Sequence, residues 1–211
     1  LLDVTGDNVV SPLDALNVIN LLLTEKLVRI TTVATDLLGT PITEIPAGSD
    51  FQLRAIVQDI REPEPEFAGV FSAYLNVTYD SALASIPQPA TFSFDPFFAL
   101  TRKFDATTPG QILAAGASSS SGTAPGNDPQ ELWTVLFNAT APGEVTFTPS
   151  FDTIPEDEVL LFLVNEPLTA DQIDFVGSTL TITGNPTVEV QSVSQNEGEA
   201  SKTHFVFNAR L

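Results

Sequence analysis

The chain has 211 residues, enough for one large or two small domains around a buried core. Acidic residues outnumber basic ones 27 to 8, a net charge of −19 that repels phosphate backbones and anionic membranes and favours divalent cations or plain solvation. Cysteine is absent and histidine occurs once, at His204. Disulfides, thiolate chemistry and multi-histidine metal centres are therefore excluded, and a Ser-His-Asp triad has a single place to centre. The aromatic residues are mostly Phe (15, against 2 Tyr and 1 Trp), which suits a packed β core better than a sugar-stacking platform.

The sequence begins at Leu1 without an initiator methionine or signal peptide and reads as a processed product or an excerpt of a longer polypeptide. No stretch is long and apolar enough to predict a membrane span. Residues 1–26 form a first zone, a polar acidic loop running into a short helix. Ser11 is a good N-cap, Pro12 fits the first helical position, and Leu16, Ile19 and Leu23 recur at helical spacing.

The loop spaces oxygen ligands as a twelve-residue calcium loop does. With Asp3 at position 1, Thr5 stands at 3, Asp7 at 5 and the Val9 carbonyl at 7; Ser11 stands at 9 and Asp14 at 12. A hard cation wants such a ring of carboxylates and carbonyls, closed by a carboxylate on the exiting helix. Asn8 replaces the usual turn glycine but tolerates the left-handed backbone needed there. Three carboxylates place the expected affinity near the weak end, about 10⁻⁴–10⁻³ M.

Residues 27–183 form the second zone, which alternates at period two. Phe51, Leu53, Ala55 and Val57 share one face; so do Phe71, Ala73, Leu75, Val77 and Tyr79, and again Trp133, Val135, Phe137 and Ala139. Shorter strands fit Val28–Val33, Gln111–Ala117, Glu144–Thr148, Val159–Val164 and Ser178–Thr183. Such strands, split by Pro/Gly turns, predict an antiparallel β-sandwich. The low-complexity stretch Ala114 to Asn127, with four consecutive serines, reads as a mobile surface loop. Thr169-Ala-Asp-Gln172 has the capping-box pattern and predicts one helical turn.

Seven acidic residues between Asp152 and Asp174 read as a solvated face, with a second calcium site or a catalytic carboxylate pair as alternatives. Arg61-Glu-Pro-Glu-Pro-Glu66 reads as a stiff solvated connector. Asn76-Val-Thr78 and Asn138-Ala-Thr140 are glycosylation sequons on outward strand faces. The third zone, residues 184–211, predicts two strands, Thr187–Val193 and His204–Ala209, too few for an independent domain.

Three resemblances follow from these residues. Asp3 to Leu23, with Gly6-Asp7 and Val10-Ser-Pro-Leu-Asp-Ala-Leu-Asn-Val-Ile-Asn-Leu-Leu, resembles one calcium repeat of a type I dockerin, as found in large surface proteins of planctomycete-type bacteria. Dockerins usually carry two repeats, and one is visible here. The run Phe71-Ser-Ala-Tyr-Leu-Asn-Val-Thr-Tyr-Asp80 with Leu83, Leu132-Trp-Thr-Val-Leu-Phe-Asn-Ala-Thr-Ala-Pro-Gly143 and Gly177-Ser-Thr-Leu-Thr-Ile182 resembles a cohesin-like (or jelly-roll-like) β-sandwich. Pro186-Thr-Val-Glu-Val, Asn196-Glu-Gly198 and Phe205-Val-Phe-Asn-Ala-Arg-Leu211 are similar to the opening strands of a Calx-beta domain, in which Glu197 falls in the acidic loop.

These resemblances imply a non-enzymatic structural or adhesive module of a larger bacterial surface or matrix protein, extracellular and bound to Ca²⁺. Its expected partners are other copies or neighbouring modules of such a protein. The stripe Leu16, Ile19 and Leu23 would pack either on its own sandwich or on a neighbour's, and a head-to-tail contact of the second kind propagates into a filament. Strand addition through residues 187–193 and 203–209 is a further route. The alternative function is a carbohydrate-binding module; it needs exposed aromatic rings, and only Trp133, Tyr74 and Tyr79 could serve.

Overall fold

The structure is a computed structural model and describes residues 25–62, 64–152, 154 and 157–184. The calcium-loop candidate, its helix and the predicted tail strands lie outside the described residues. In chain order the strands are β1 (Val28–Thr35), β2 (Glu44–Pro46), β3 (Asp50–Asp59), β4 (Val70–Thr78), β5 (Ala84–Ser85), β6 (Phe92–Phe94) and β7 (Leu100–Asp105). They continue with β8 (Gln111–Ser118), β9 (Gln130–Ala139), β10 (Gly143–Phe151), β11 (Leu160–Leu161), β12 (Ile173–Val176) and β13 (Ser178–Thr183).

Two sheets face each other. The first has the order β12-β1-β3-β9-β5, with β6 also beside β9; the second has the order β2-β13-β10-β4-β8-β7, with β11 also beside β4. The expected sandwich is present, with one correction to its antiparallel description. β12 runs parallel to β1, and β2 runs parallel to β13. Both parallel pairs sit at sheet edges, where the chain crosses between layers. At the crossing from β12 to β13, a Cβ on Gly177 would lie 2.5 Å from the Phe147 carbonyl oxygen, so only glycine lets the chain pass from one sheet into the other.

Alternation explains the packing. Phe51, Leu53, Ala55 and Val57 of β3 and Trp133, Val135, Phe137 and Ala139 of β9 point inward, all essentially without solvent contact. Ala73, Leu75 and Val77 of β4, Val145 and Phe147 of β10, and Leu180 and Ile182 of β13 meet them from the second sheet. Phe51 stacks on Phe137 across the first sheet at 5.4 Å, and Phe147 from the second sheet meets Phe137 edge-on at 5.2 Å. Tyr79 closes this cluster at 5.0 Å from Phe137, and burial pushes its phenol up in pKa.

The low-complexity expectation needs correction, because Ala114 to Ser118 belong to β8. Ala115 and Ala117 are both fully buried, and the Trp133 indole N–H donates to the Ala115 carbonyl at 3.2 Å, where a small side chain leaves room for the ring. Ser119 is buried and its N–H donates to the Phe71 carbonyl at 2.7 Å, so the serine run starts pinned to the sheet. Val159–Val164 was expected as one strand; only Leu160–Leu161 pairs, and a left-handed Leu163 (φ 56°) ends it. Phe71 was expected in the core, yet it is half-buried and packs on Phe162 at 5.5 Å. Ala170–Gln172 forms the expected single turn, with the Thr169 N–H donating to Gln172 Oε1 at 3.0 Å.

Candidate functional site

The outer face of the second sheet runs across β10, β4, β8 and β7; it is open to solvent at β10 and β7 and covered at Ser72 and Tyr74 of β4. Strand alternation that sends Ala73, Leu75 and Val77 inward sends Ser72, Tyr74, Asn76 and Thr78 outward. Thr146, Thr148 and Ser150 of β10 are exposed on the same side, and Ser118 of β8 and Thr101 of β7 extend the row. The result is a face built mainly of hydroxyls.

A recess of about 300 Å³ opens in this face, lined by Ser72, Tyr74, Thr101, Lys103, Asp157 and Glu158 among others. Tyr74 Oη lies 2.9 Å from the Thr101 carbonyl oxygen and 2.6 Å from Thr101 Oγ1, which is 2.7 Å from Ser118 Oγ. Thr101 holds a left-handed backbone (φ 48°), which a β-branched residue adopts at a cost, and the Tyr74 contact fixes it there. A Cβ on Gly116 would collide with the Ala73 carbonyl oxygen, so glycine is what lets β8 lie this close beside Tyr74.

The recess holds charges of both signs, Glu158 lying beside a paired Lys103 and Asp157. Lys103 Nζ donates to both Asp157 oxygens, at 3.0 and 2.7 Å, and the Asp157 side chain is only 3% exposed. Ser72 Oγ donates to the Glu158 carbonyl at 2.9 Å and ties the same segment down. At the far end of β7, Asp105 accepts from the Thr107 N–H and hydroxyl, which hold its carboxyl below the usual range. The other basic side chains of the described residues are also engaged. Arg29 pairs with Asp174, Arg54 with Glu131 and Arg61 with Asp59; Arg102 donates to the Phe98 carbonyl and Lys26 to the Ile173 carbonyl.

Asp3, Thr5, Asp7, Val9, Ser11 and Asp14, the expected calcium ligands, lie outside the described residues, as do Leu16, Ile19, Leu23, Glu197 and His204. The acidic segment is corrected in part, since Asp152 and Asp157 are buried and Asp157 is salt-bridged. Among the described residues no three carboxylates or histidines cluster closely enough to hold a metal ion. Asn76 is not a free surface asparagine: its Oδ1 accepts from the Ala114 N–H at 2.8 Å. Asn138 donates to Asp50 at 3.0 Å. Trp133 is fully buried and Tyr74 is 4% exposed, so neither offers an open ring face. Thr101 and Lys103 escaped the sequence reading because every residue of β7 is exposed and the strand has no apolar alternation to detect.

No protein-family model matches the chain, and no curated protein matches it in sequence. In three dimensions it is similar to solved cohesin modules. The cohesin module of a Clostridium perfringens family 33 glycoside hydrolase shares 15% identity over 76% of this chain and 99% of that one, with a TM-score of 0.50. A chain of a type I cohesin–dockerin complex from Clostridium thermocellum matches at 9% identity over 76% and 96%, with a TM-score of 0.52. A type III cohesin from the cell-surface anchoring scaffoldin of Ruminococcus flavefaciens matches at 12% over 75% and 89%, with a TM-score of 0.51. The fold is a cohesin-like β-sandwich. Among the described residues no helix is long and apolar enough to cross a membrane.

Proposed function

We propose that the chain is a non-enzymatic docking module of a larger extracellular or cell-surface protein, and that it docks a protein partner on the outer face of β10-β4-β8-β7. One observation carries this reading: a hydroxyl-rich face with a recess in which Lys103 and Asp157 pair with each other. Such a face binds without first discharging a buried charge, and its groups are fixed by the sheet beneath. Four strands at roughly 4.8 Å spacing put the outer two about 14 Å apart, against about 10–12 Å for the diameter of one helix. The partner in this reading is a compact protein module, and the similar complex from Clostridium thermocellum, a cohesin with a dockerin, supports that class.

Carbohydrate is the weaker reading, because Trp133, Tyr74 and Tyr79 are committed to packing and hydrogen bonds. Titrating the chain against an immobilised type I dockerin tests the docking face. Thr148→Arg, on the exposed side of β10, is expected to weaken binding at least tenfold, roughly 1.4 kcal/mol, while Leu38→Arg, in the distant Asp36–Thr40 turn, leaves it unchanged. Equal losses in the two variants would sink the assignment.

In the same reading the N-terminal loop binds Ca²⁺ through Asp3, Thr5, Asp7, the Val9 carbonyl, Ser11 and Asp14. Calorimetric titration with calcium is expected to give a dissociation constant of about 10⁻⁴–10⁻³ M that disappears in Asp3→Ala/Asp14→Ala. An unchanged isotherm in that variant would remove the loop from the account.

A further inference from the structure

We infer that the recess in the outer face of the second sheet seats one basic side chain, lysine or arginine, carried by the docking partner, with Glu158 as its counter-charge. The inference rests on the docking reading above and adds the chemistry that the partner must bring. Lys103 donates to both oxygens of Asp157, at 3.0 and 2.7 Å, so that carboxylate is already paired. Glu158 lines the same recess half-buried, and no hydrogen bond or ion pair among the described residues engages its carboxylate. Its backbone carbonyl accepts from Ser72 Oγ at 2.9 Å, which holds the residue at the recess wall.

Docking decides what must enter. Glu158 is partly open to solvent in the free chain. A partner seated on the face removes that solvent, and an unpaired carboxylate enclosed in an interface is costly. A neutral tip leaves the carboxylate unpaired, and an acidic one adds repulsion. A cation pairs it through a charge-assisted hydrogen bond. Tyr74, Thr101 and Ser118 line the recess with hydroxyl oxygens, whose lone pairs serve the cation's remaining N–H groups. Leu160, half-buried on the same wall, offers apolar surface to the methylene stem. The volume of about 300 Å³ equals roughly ten waters, room for one long side chain. The net charge of −19 acts in the same sense at longer range, since it draws basic partners toward the chain.

Nuclear magnetic resonance of the isotope-labelled full chain, titrated with N-acetyl-lysine methylamide, reads the recess without a partner. Saturable amide shifts are expected at Ser72, Thr101, Ser118 and Glu158, and N-acetyl-glutamate methylamide should give none. Glu158→Gln keeps the backbone bond to Ser72 and should weaken the lysine probe about tenfold. Glu62→Gln, an equal loss of charge at an exposed site in the β3–β4 connector, should leave it unchanged. Shifts scattered over the acidic surface, or equal affinities in the two variants, would overturn the inference. A second arm uses immobilised type I dockerin, whose binding should also weaken about tenfold in Glu158→Gln. If dockerin binds wild type and Glu158→Gln equally, the recess takes no partner side chain and the docking face still stands. If the lysine probe seats and no dockerin binds, the cation site stands and the docking reading falls.

Discussion

Asp59→Ala should destabilise the protein by about 3–5 kcal/mol, the usual cost of breaking a buried ion pair from one side. Asp59 is 1% exposed at the end of β3, and Arg61 folds back on it with Nη2 at 2.6 Å and Nε at 3.0 Å. The Gly69 N–H donates to the same carboxylate at 2.7 Å, so one side chain ties β3 to the start of β4 and joins the two sheets at that end. Removing it strands a guanidinium and a backbone donor together. Asp59→Asn keeps an acceptor and should cost less, about 1–3 kcal/mol. Burial pushes this carboxyl up, but the bonds from Arg61 and Gly69 outweigh it and hold it below its ordinary value of 3.8. A depressed folded value means the contribution is complete above pH 3.8 and is lost as pH falls through the lower folded value. Urea unfolding at pH 7 and again near pH 2 checks this: the gap between wild type and Asp59→Ala should narrow in acid. A gap that widens would refute the clamp.

Trp133→Ala should cost a similar amount, about 3–5 kcal/mol, by a different mechanism. The indole is fully buried, meets Phe92 edge-on at 5.3 Å and reaches across the space between the sheets to the Ala115 carbonyl. Alanine there leaves a cavity that the small Ala115 opposite cannot fill. Trp133→Phe separates the components, since it keeps most of the apolar volume and loses the bond to the Ala115 carbonyl; about 1–2 kcal/mol is expected. Thermal unfolding followed by far-UV circular dichroism reads both, because the only tryptophan is being removed. A loss below 1 kcal/mol for Trp133→Ala would mean that β8 is not the opposing wall.

The long two-faced strands were legible because each carries an unbroken alternation of apolar and polar residues. β3, β9 and β13 fall within one or two residues of expectation, and the same alternation that identifies the core also assigns the outer side chains of β4. Edge elements were not legible. β7 buries nothing, β12 is four residues long, and β2, β5 and β6 are shorter still, so their identity comes from the neighbours they pair with. The recess was out of reach for the same reason. Lys103 and Asp157 are 54 residues apart, and nothing in their local sequence says that one will bury the other's charge. Val159–Val164 misled because an apolar run carries no sign of the left-handed turn at Leu163.

The proposed docking face lies on one sheet only, and the two outer faces can be tested separately. Single cysteines at Ser118, on the outer face of the second sheet, and at Leu136, 38% exposed on the outer face of the first, can each carry a bulky maleimide adduct. Binding of a type I dockerin, measured by biolayer interferometry before and after modification, reads the two faces separately. The prediction is that the adduct at Ser118→Cys abolishes binding and the adduct at Leu136→Cys leaves it intact. Binding blocked at Leu136 and spared at Ser118 would contradict the account.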